Sequence, residues 1–324
     1  MDQPQINDKE HIQMLIGDSI STKDLIEYVP RIADVVYPSD PLKQIYRQIR
    51  EVIYLSEPGC WFEAASGAGK STAIEYCKIA LKAEFPELPV VDINEHVLPA
   101  AALRSFFIRM LEESKAISLT GETARLRIRL AKHLSYLGKK SRLNTIVMLV
   151  DEGQEFRDTD LFINKDLFND VKKFGGNLLT VIFGEKPKMA SRVSELLDGD
   201  HGGVAQRFVG GRQLDFAGYT NVSDWESLFK NMDDFPVDIF DGKPLAHFFF
   251  QRSDISRFKF AKSAGAFFEA LNKHKDANNQ VDLRKAFAGF RRVIYLNAKD
   301  PPKEIRSFGT DVWKAAFSYI KWHE

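Results

Sequence analysis

Up to about residue 220 the chain alternates two hydrophobic patterns, and beyond it keeps only one. Short, nearly unbroken apolar runs occur at Cys60-Trp61-Phe62, Leu88 to Ile93, Thr145 to Val150 and Asn177 to Phe183, and Arg212 to Phe216 after a glycine-rich turn reads as a last strand. Such runs suit strands buried on both faces, as in a parallel sheet. Between them apolar residues return every three or four positions, as on a helix with one buried face. Leu42, Ile45, Tyr46, Ile49, Val52 and Ile53 make one such face, begun at Ser39-Asp40-Pro41 by a cap residue with proline in the first turn. Further helices are expected over Pro99 to Glu113, Thr123 to Leu137, residues 160–174 and Pro187 to Leu197. Strands alternating with helices predict an α/β fold with a five-stranded parallel sheet between helices.

From Asn221 onward no strand run recurs, and the helices become rich in Phe, Lys and Arg. Phe248-Phe249-Phe250 with Phe258, Phe260, Phe267 and Phe268 reads chiefly as helical core. Three parts are expected: an N-terminal arm (1–38) with weak helical patterns at Ile12, Leu15, Ile16 and around Asp24–Tyr28, the α/β core (39–220), and a smaller all-helical lid and C-terminal segment (221–324). The arm and the last helix, with Trp313, Phe317, Ile320 and Trp322, are candidate docking peptides.

Charge excludes little. The 324 residues carry 45 Lys and Arg against 45 Asp and Glu, so any nucleic-acid surface must come from local clustering. The two cysteines, Cys60 and Cys77, leave no disulfide framework and read as buried small hydrophobes of a reducing compartment. The N-terminus lacks a signal-peptide pattern, and no run of about 18 apolar residues occurs, so a cytoplasmic protein without a membrane span is expected. The seven histidines show no metal spacing.

One loop carries specific chemistry. Ala64-Ala65-Ser66-Gly67-Ala68-Gly69-Lys70-Ser71-Thr72 follows the first strand run and opens a helix containing Ile74, Cys77 and Leu81. A glycine-rich turn between strand and helix start aims backbone N–H groups and the positive helix end at one point, a phosphate cradle. Ser66 to Thr72 would hold the nucleotide, with Lys70 on the β- and γ-phosphates and the Ser71 hydroxyl on Mg²⁺. The strict pattern has Gly at Ala64, a small departure if φ is negative there. The run at 145–150 ends in Asp151-Glu152. Asp151, expected at the tip of the strand neighbouring the P-loop, would hold the Mg²⁺ shell, and Glu152 would polarise the attacking water.

Weaker candidates surround these. Gln154 follows the acids. Glu185 at the Gly184-Glu185 corner, or Thr180 earlier in that strand, would sense the γ-phosphate; the corner is otherwise a solvated turn. Arg207 in Gln206-Arg207-Phe208 is either an arginine finger toward a neighbouring subunit's nucleotide or a surface charge. Arg257, or Arg252, is either a second sensor or a surface charge. Residues 125–142 hold Arg125, Arg127, Arg129, Lys132, Lys139, Lys140 and Arg142 with no acid. Arg125, Arg129 and Lys132 share one helix face, opposite Leu126, Leu130, Leu134 and Leu137. That face is either a solvated one or a track for a phosphate backbone. His133 within it reads as a surface histidine.

The P-loop, the acids of Val150-Asp151-Glu152-Gly153-Gln154, the corner Ile182-Phe183-Gly184-Glu185-Lys186-Pro187, and Gln206-Arg207-Phe208 together resemble one family over roughly residues 40–220. It is the AAA+ ATPases that regulate DNA transposition, the TnsC, TniB and MuB group, with the secretion ATPase ExeA as a relative. Gly153 departs from the alanine, and Glu185-Lys186 from the Gln or Thr, usual in that group. The resemblance implies a P-loop NTPase of AAA+ type that uses ATP and Mg²⁺ and assembles as a homo-oligomeric ring or filament on duplex DNA, largely without sequence preference. Transposase and target-selection proteins are its implied partners, and slow hydrolysis its reset. It also implies DNA contact through the helices of residues 97–142, with Arg104, Arg125, Arg129, Lys132, Lys139 and Lys140 as candidates. The alternative is an ATPase switch acting only on protein partners.

Overall fold

The computed structural model describes residues 21–94, 103–156, 158–198, 213–275 and 281–321. Five strands, β1 Gly59–Ala64, β2 Val90–Asn94, β3 Thr145–Asp151, β4 Asn177–Glu185 and β5 Gln213–Asp215, form one sheet in the order β2-β3-β4-β1-β5. Every pairing is parallel. β3 is buried at all its positions and β4 at seven of nine, which is why these runs lack polar alternation.

The order corrects one expectation. β3, which ends in Asp151, does not neighbour β1, because β4 lies between them and pairs with both. Periodicity cannot reveal this, since a central strand reads the same whichever strands flank it.

One sheet face is covered by helices Leu103–Glu113, Thr123–Gly138, Asp158–Lys173 and Lys188–Asp198. Their apolar stripes pack with Trp61, Val91, Ile93, Ile146, Met148, Val150, Leu178 and Ile182. Side chains alternate across a strand, so Val147, Leu149 and Asp151 point to the opposite face, against which helices Asp40–Tyr54 and Lys70–Glu84 pack. Asp151 thereby faces the helix that starts at Lys70. Ser39 is the N-cap of helix Asp40–Tyr54, but its hydroxyl bonds the Tyr219 hydroxyl at 2.6 Å instead of capping the helix. Cys60 and Cys77 are buried thiols, and burial pushes Cys77 up to about 12.

The chain divides into two compact units: Pro38–Thr220 with Lys275–Arg284, and Met1–Tyr37 with Asn221–His274 and Lys285–Glu324. In the second unit Phe248, Phe249, Phe250, Phe258, Phe260 and Phe267 are buried, with Trp225 and Trp313 among them. Two features of the expected docking segments change here. Trp313 and Phe317 of helix Thr310–Phe317 are fully buried, so that helix is core and presents no aromatic anchor. In helix Thr22–Tyr28 Leu25 is buried, and Tyr28 packs edge-on against Phe248, so this helix contributes Leu25 and Tyr28 to the unit's packing. Ile12, Leu15, Ile16 and Trp322 lie outside the described residues.

Candidate functional site

The loop after β1 takes the shape its glycines permit. Ala64 closes β1 without positive φ, so its methyl costs nothing in place of glycine. Gly67 and Gly69 then adopt φ of 73° and 99°, left-handed backbone that disfavours any side chain. A Cβ at Gly67 would also lie 2.8 Å from Asp282 Cγ, and one at Gly69 2.8 Å from Leu283 Cδ2. Gly69 is the N-cap of helix Lys70–Glu84, and the first intrahelical bond runs from Ala73 N–H to its carbonyl. The N–H groups of Lys70, Ser71 and Thr72 are thus left to an outside acceptor.

Lys70 is 7% exposed, and among the described residues its ammonium has no ion-pair or hydrogen-bond partner. Its charge sits at the positive end of a helix, close enough to Asp151 to lower that carboxyl's value, and an anion is favoured there. Beside it the Ser71 hydroxyl donates to Asp151 Oδ2 at 2.9 Å. Asp151 is 7% exposed. Desolvation holds its carboxyl above the ordinary carboxylate value, helped by the negative charge of Glu152 and opposed by Ser71, the Glu152 N–H and Lys70. Among the described residues no group of three or more His, Cys, Asp or Glu could hold a metal by itself. Mg²⁺ does not need one, since it keeps several waters and takes one or two protein oxygens beside phosphate. The buried cation, the orphan donors and the Ser71–Asp151 pair fit a magnesium nucleotide.

A stability prediction follows from Asp151. A carboxyl whose folded value is raised binds its proton more tightly in the native state. Its contribution is therefore full below the unfolded value and is lost as pH rises through the folded value. Asp151→Asn, which keeps an acceptor for Ser71, is expected to raise the thermal midpoint of the nucleotide-free protein at pH 7. The gain should shrink to nothing as pH falls below about 4. A series of melts across pH checks both signs.

The acid pair closes β3, and its second member has a strained backbone. Glu152 has φ 56° and ψ 42°, a left-handed conformation uncommon for a non-glycine residue. Gly153, the departure in the motif, is explained by contact: a Cβ there would lie 2.1 Å from Ile182 Cγ2. Gln154 donates to Glu152 Oε2 and accepts from the Glu185 backbone N–H.

The remaining candidates separate. Glu185 ends β4 opposite Ala64, beside the P-loop. Thr180 pairs with Gly59 at the far end of β1, five residues or about 16 Å back along the strand, and cannot reach a phosphate on the loop. Arg207 lies outside the described residues. Arg252 and Arg257 are exposed in turns of the other unit, where Arg257 stands near Asp254. The sequence reading missed Asp282, Leu283 and Arg284. The Leu283 N–H donates to the Gly67 carbonyl at 2.8 Å, and Asp282 caps the helix beginning there by accepting the Arg284 N–H at 2.9 Å. Arg284 is exposed and has no ion-pair partner among the described residues. The available signal was an aspartate directly before a helical repeat of Ala286, Phe290 and Val293.

On helix Thr123–Gly138, Arg125, Ile128, Arg129, Lys132, His133 and Tyr136 line a shallow groove of about 500 Å³. Arg125, Lys132, Lys139 and Lys140 are exposed, with Lys140 over the Tyr136 ring at 4.6 Å. Arg142 is exposed as well, whereas Arg127, Arg129, Arg104 and His133 are engaged within the protein itself. Arg127 pairs with Asp170 and Asp166 at 2.7 and 3.0 Å. Arg129 donates to the carbonyls of Ser118 and Thr120, and Arg104 to that of Gly121, so both hold the loop between the two helices. His133 bonds the Ser114 carbonyl at 2.8 Å.

No protein-family model and no curated protein matches the sequence. Among solved structures, Drosophila ORC bound to DNA superposes with a TM-score of 0.51 at 14% identity, covering 97% of this chain and 67% of that one. Cdc6p from Pyrobaculum aerophilum superposes with a TM-score of 0.54 at 14% identity, covering 81% of this chain and 63% of that one. The fold is that of the AAA+ P-loop ATPases. The chain spans about two thirds of the length of these two proteins. No described helix is long and apolar enough to cross a membrane.

Proposed function

We propose that this chain is an ATP-driven switch: a nucleotide-binding, slowly hydrolysing AAA+ subunit that oligomerises on duplex DNA, as a regulator of DNA transposition does. The observation that carries the nucleotide reading is the largely buried Lys70 at a helix start, beside the Ser71–Asp151 pair. ATP with Mg²⁺ would supply the electrophilic phosphoryl group and a cation that offsets its charge. Ser66 to Thr72 would wrap the phosphates, Lys70 would neutralise their charge, and Ser71 and Asp151 would hold the metal's shell. Glu152 would take the proton of the attacking water. Arg284, tied to the loop through Leu283 and Asp282, is a further candidate for the phosphates, and Arg207 for a neighbouring subunit's site.

The DNA part rests on the exposed Arg125, Lys132, Lys139 and Lys140, and on the fold shared with ORC, whose structure holds DNA. The transposition part rests on the sequence resemblance. Electron microscopy with duplex DNA, with and without ATP or a slowly hydrolysed analogue, tests the assembly. Nucleotide-dependent rings or filaments on DNA are expected. Nucleotide-bound particles indifferent to DNA would leave a switch for protein partners.

Glu152→Gln tests the chemistry. A general base contributes about 10²–10⁴ in rate, so hydrolysis should fall at least about 100-fold while nucleotide affinity changes little. Unchanged turnover would remove Glu152 as base.

A further inference from the structure

We infer that Gln154 is a positioning residue that fixes the Glu152 carboxylate and ties it to the tip of β4, an inference resting on the hydrolytic reading above. Both ends of its amide are used. Nε2 donates to Glu152 Oε2, and Oε1 accepts the backbone N–H of Glu185 at 2.8 Å. A carboxylate can only accept and a backbone N–H can only donate, so one orientation of the amide satisfies both. A flipped amide would lose both bonds. Among the described residues, nothing else makes a hydrogen bond or ion pair with the Glu152 side chain.

The anchor at the other end is well placed. Glu185 pairs with Ala64, the last residue of β1 before the P-loop, and the Lys186 N–H donates to the Ala64 carbonyl at 2.9 Å. β4 is the strand inserted between β1 and β3. One side chain therefore carries position from the root of the phosphate loop, across that strand, to the residue that would activate water. The turn that presents Gln154 lies on β4 so closely that only glycine fits at Gly153, whose Cβ would lie 2.1 Å from Ile182 Cγ2. The left-handed backbone of Glu152 and this close turn both serve to bring the acid and the amide together. A base contributes only when held within hydrogen-bond reach of the proton it takes. Misplacement by about 1 Å can cost about 100-fold.

The test compares single-turnover ATP hydrolysis with ATP affinity in the full chain. Gln154→Met keeps the length and removes both bonds. Gln154→Glu keeps the acceptor and loses the donor. Gln154→His offers one donor and one acceptor on its neutral ring. Gln154→Met and Gln154→Glu are expected to slow hydrolysis about 10–100-fold with affinity within about threefold, and Gln154→His to recover part of the loss. Hydrolysis within about twofold of the unsubstituted chain in Gln154→Met, or faster, overturns the inference. So does an affinity loss that matches the rate loss, because that marks a structural role. Glu152→Gln serves as the reference. If it hydrolyses ATP normally, the assignment of the base has failed and this inference with it. If it is inactive while Gln154→Met is unaffected, this inference alone fails.

Discussion

Lys70→Met is expected to erase the stabilisation that ATP with Mg²⁺ gives the unsubstituted chain. The Lys70 side chain is largely buried at a helix start and makes no hydrogen bond or ion pair among the described residues. Its charge is what a phosphate would meet. At ligand concentrations 100 times the dissociation constant, binding adds about 2.7 kcal/mol. For a domain of this size that corresponds to a rise of roughly 5–10 °C. In Lys70→Met the rise should fall below about 1 °C at the same concentration. A thermal-shift titration with ATP, Mg²⁺ and both proteins decides it. An undiminished shift in the variant would place the nucleotide elsewhere.

Reversing three exposed cations together, with Arg125→Glu, Lys132→Glu and Lys140→Glu, is expected to weaken duplex binding about 100-fold or more at low salt. The dependence on salt should also change. Each phosphate contact releases counterions and adds about 0.9 to the slope of log affinity against log salt, so the slope should fall by about 3. Arg127→Ala and Arg129→Ala should behave differently. Arg127 is spent on Asp166 and Asp170, and Arg129 on the carbonyls of Ser118 and Thr120. Their loss is expected to lower stability while leaving the salt slope within about 1 of the original. Fluorescence anisotropy on a labelled duplex over a range of salt separates the two classes. Equal binding by the triple variant would move any DNA contact away from this helix.

Much of this was legible because it is local. The four apolar runs became β1 to β4, and the glycines of the P-loop mark the left-handed turns that Gly67 and Gly69 adopt. The proximity of Ser71 and Asp151 also follows from motif order. What was hidden depends on distant chain segments. The insertion of β4 between β1 and β3 leaves no mark on the runs themselves. Arg104 and Arg129 read as free cations because their acceptors are loop carbonyls, which any residue carries. Trp313 and Phe317 looked like a docking motif because an apolar stripe is the same whether its partner lies in the chain or outside it. Gly153 looked like a motif imperfection until Ile182 was seen against it.

The bond from Leu283 to the Gly67 carbonyl has a consequence for how the molecule is made. The unit that carries the P-loop includes Lys275–Arg284, with Asn221–His274 belonging to the other unit in between. Synthesis runs from the N-terminus, and domains generally fold as their residues emerge. The sheet, all of whose strands are complete by Asp215, can therefore assemble on the ribosome well before the chain that closes over its loop exists. Until residue 284 has left the exit tunnel, the Gly67 carbonyl stays open to solvent, and nascent chains should gain nucleotide affinity late in translation. A fragment ended at Thr220 would hold every residue of the P-loop and still lack its cover.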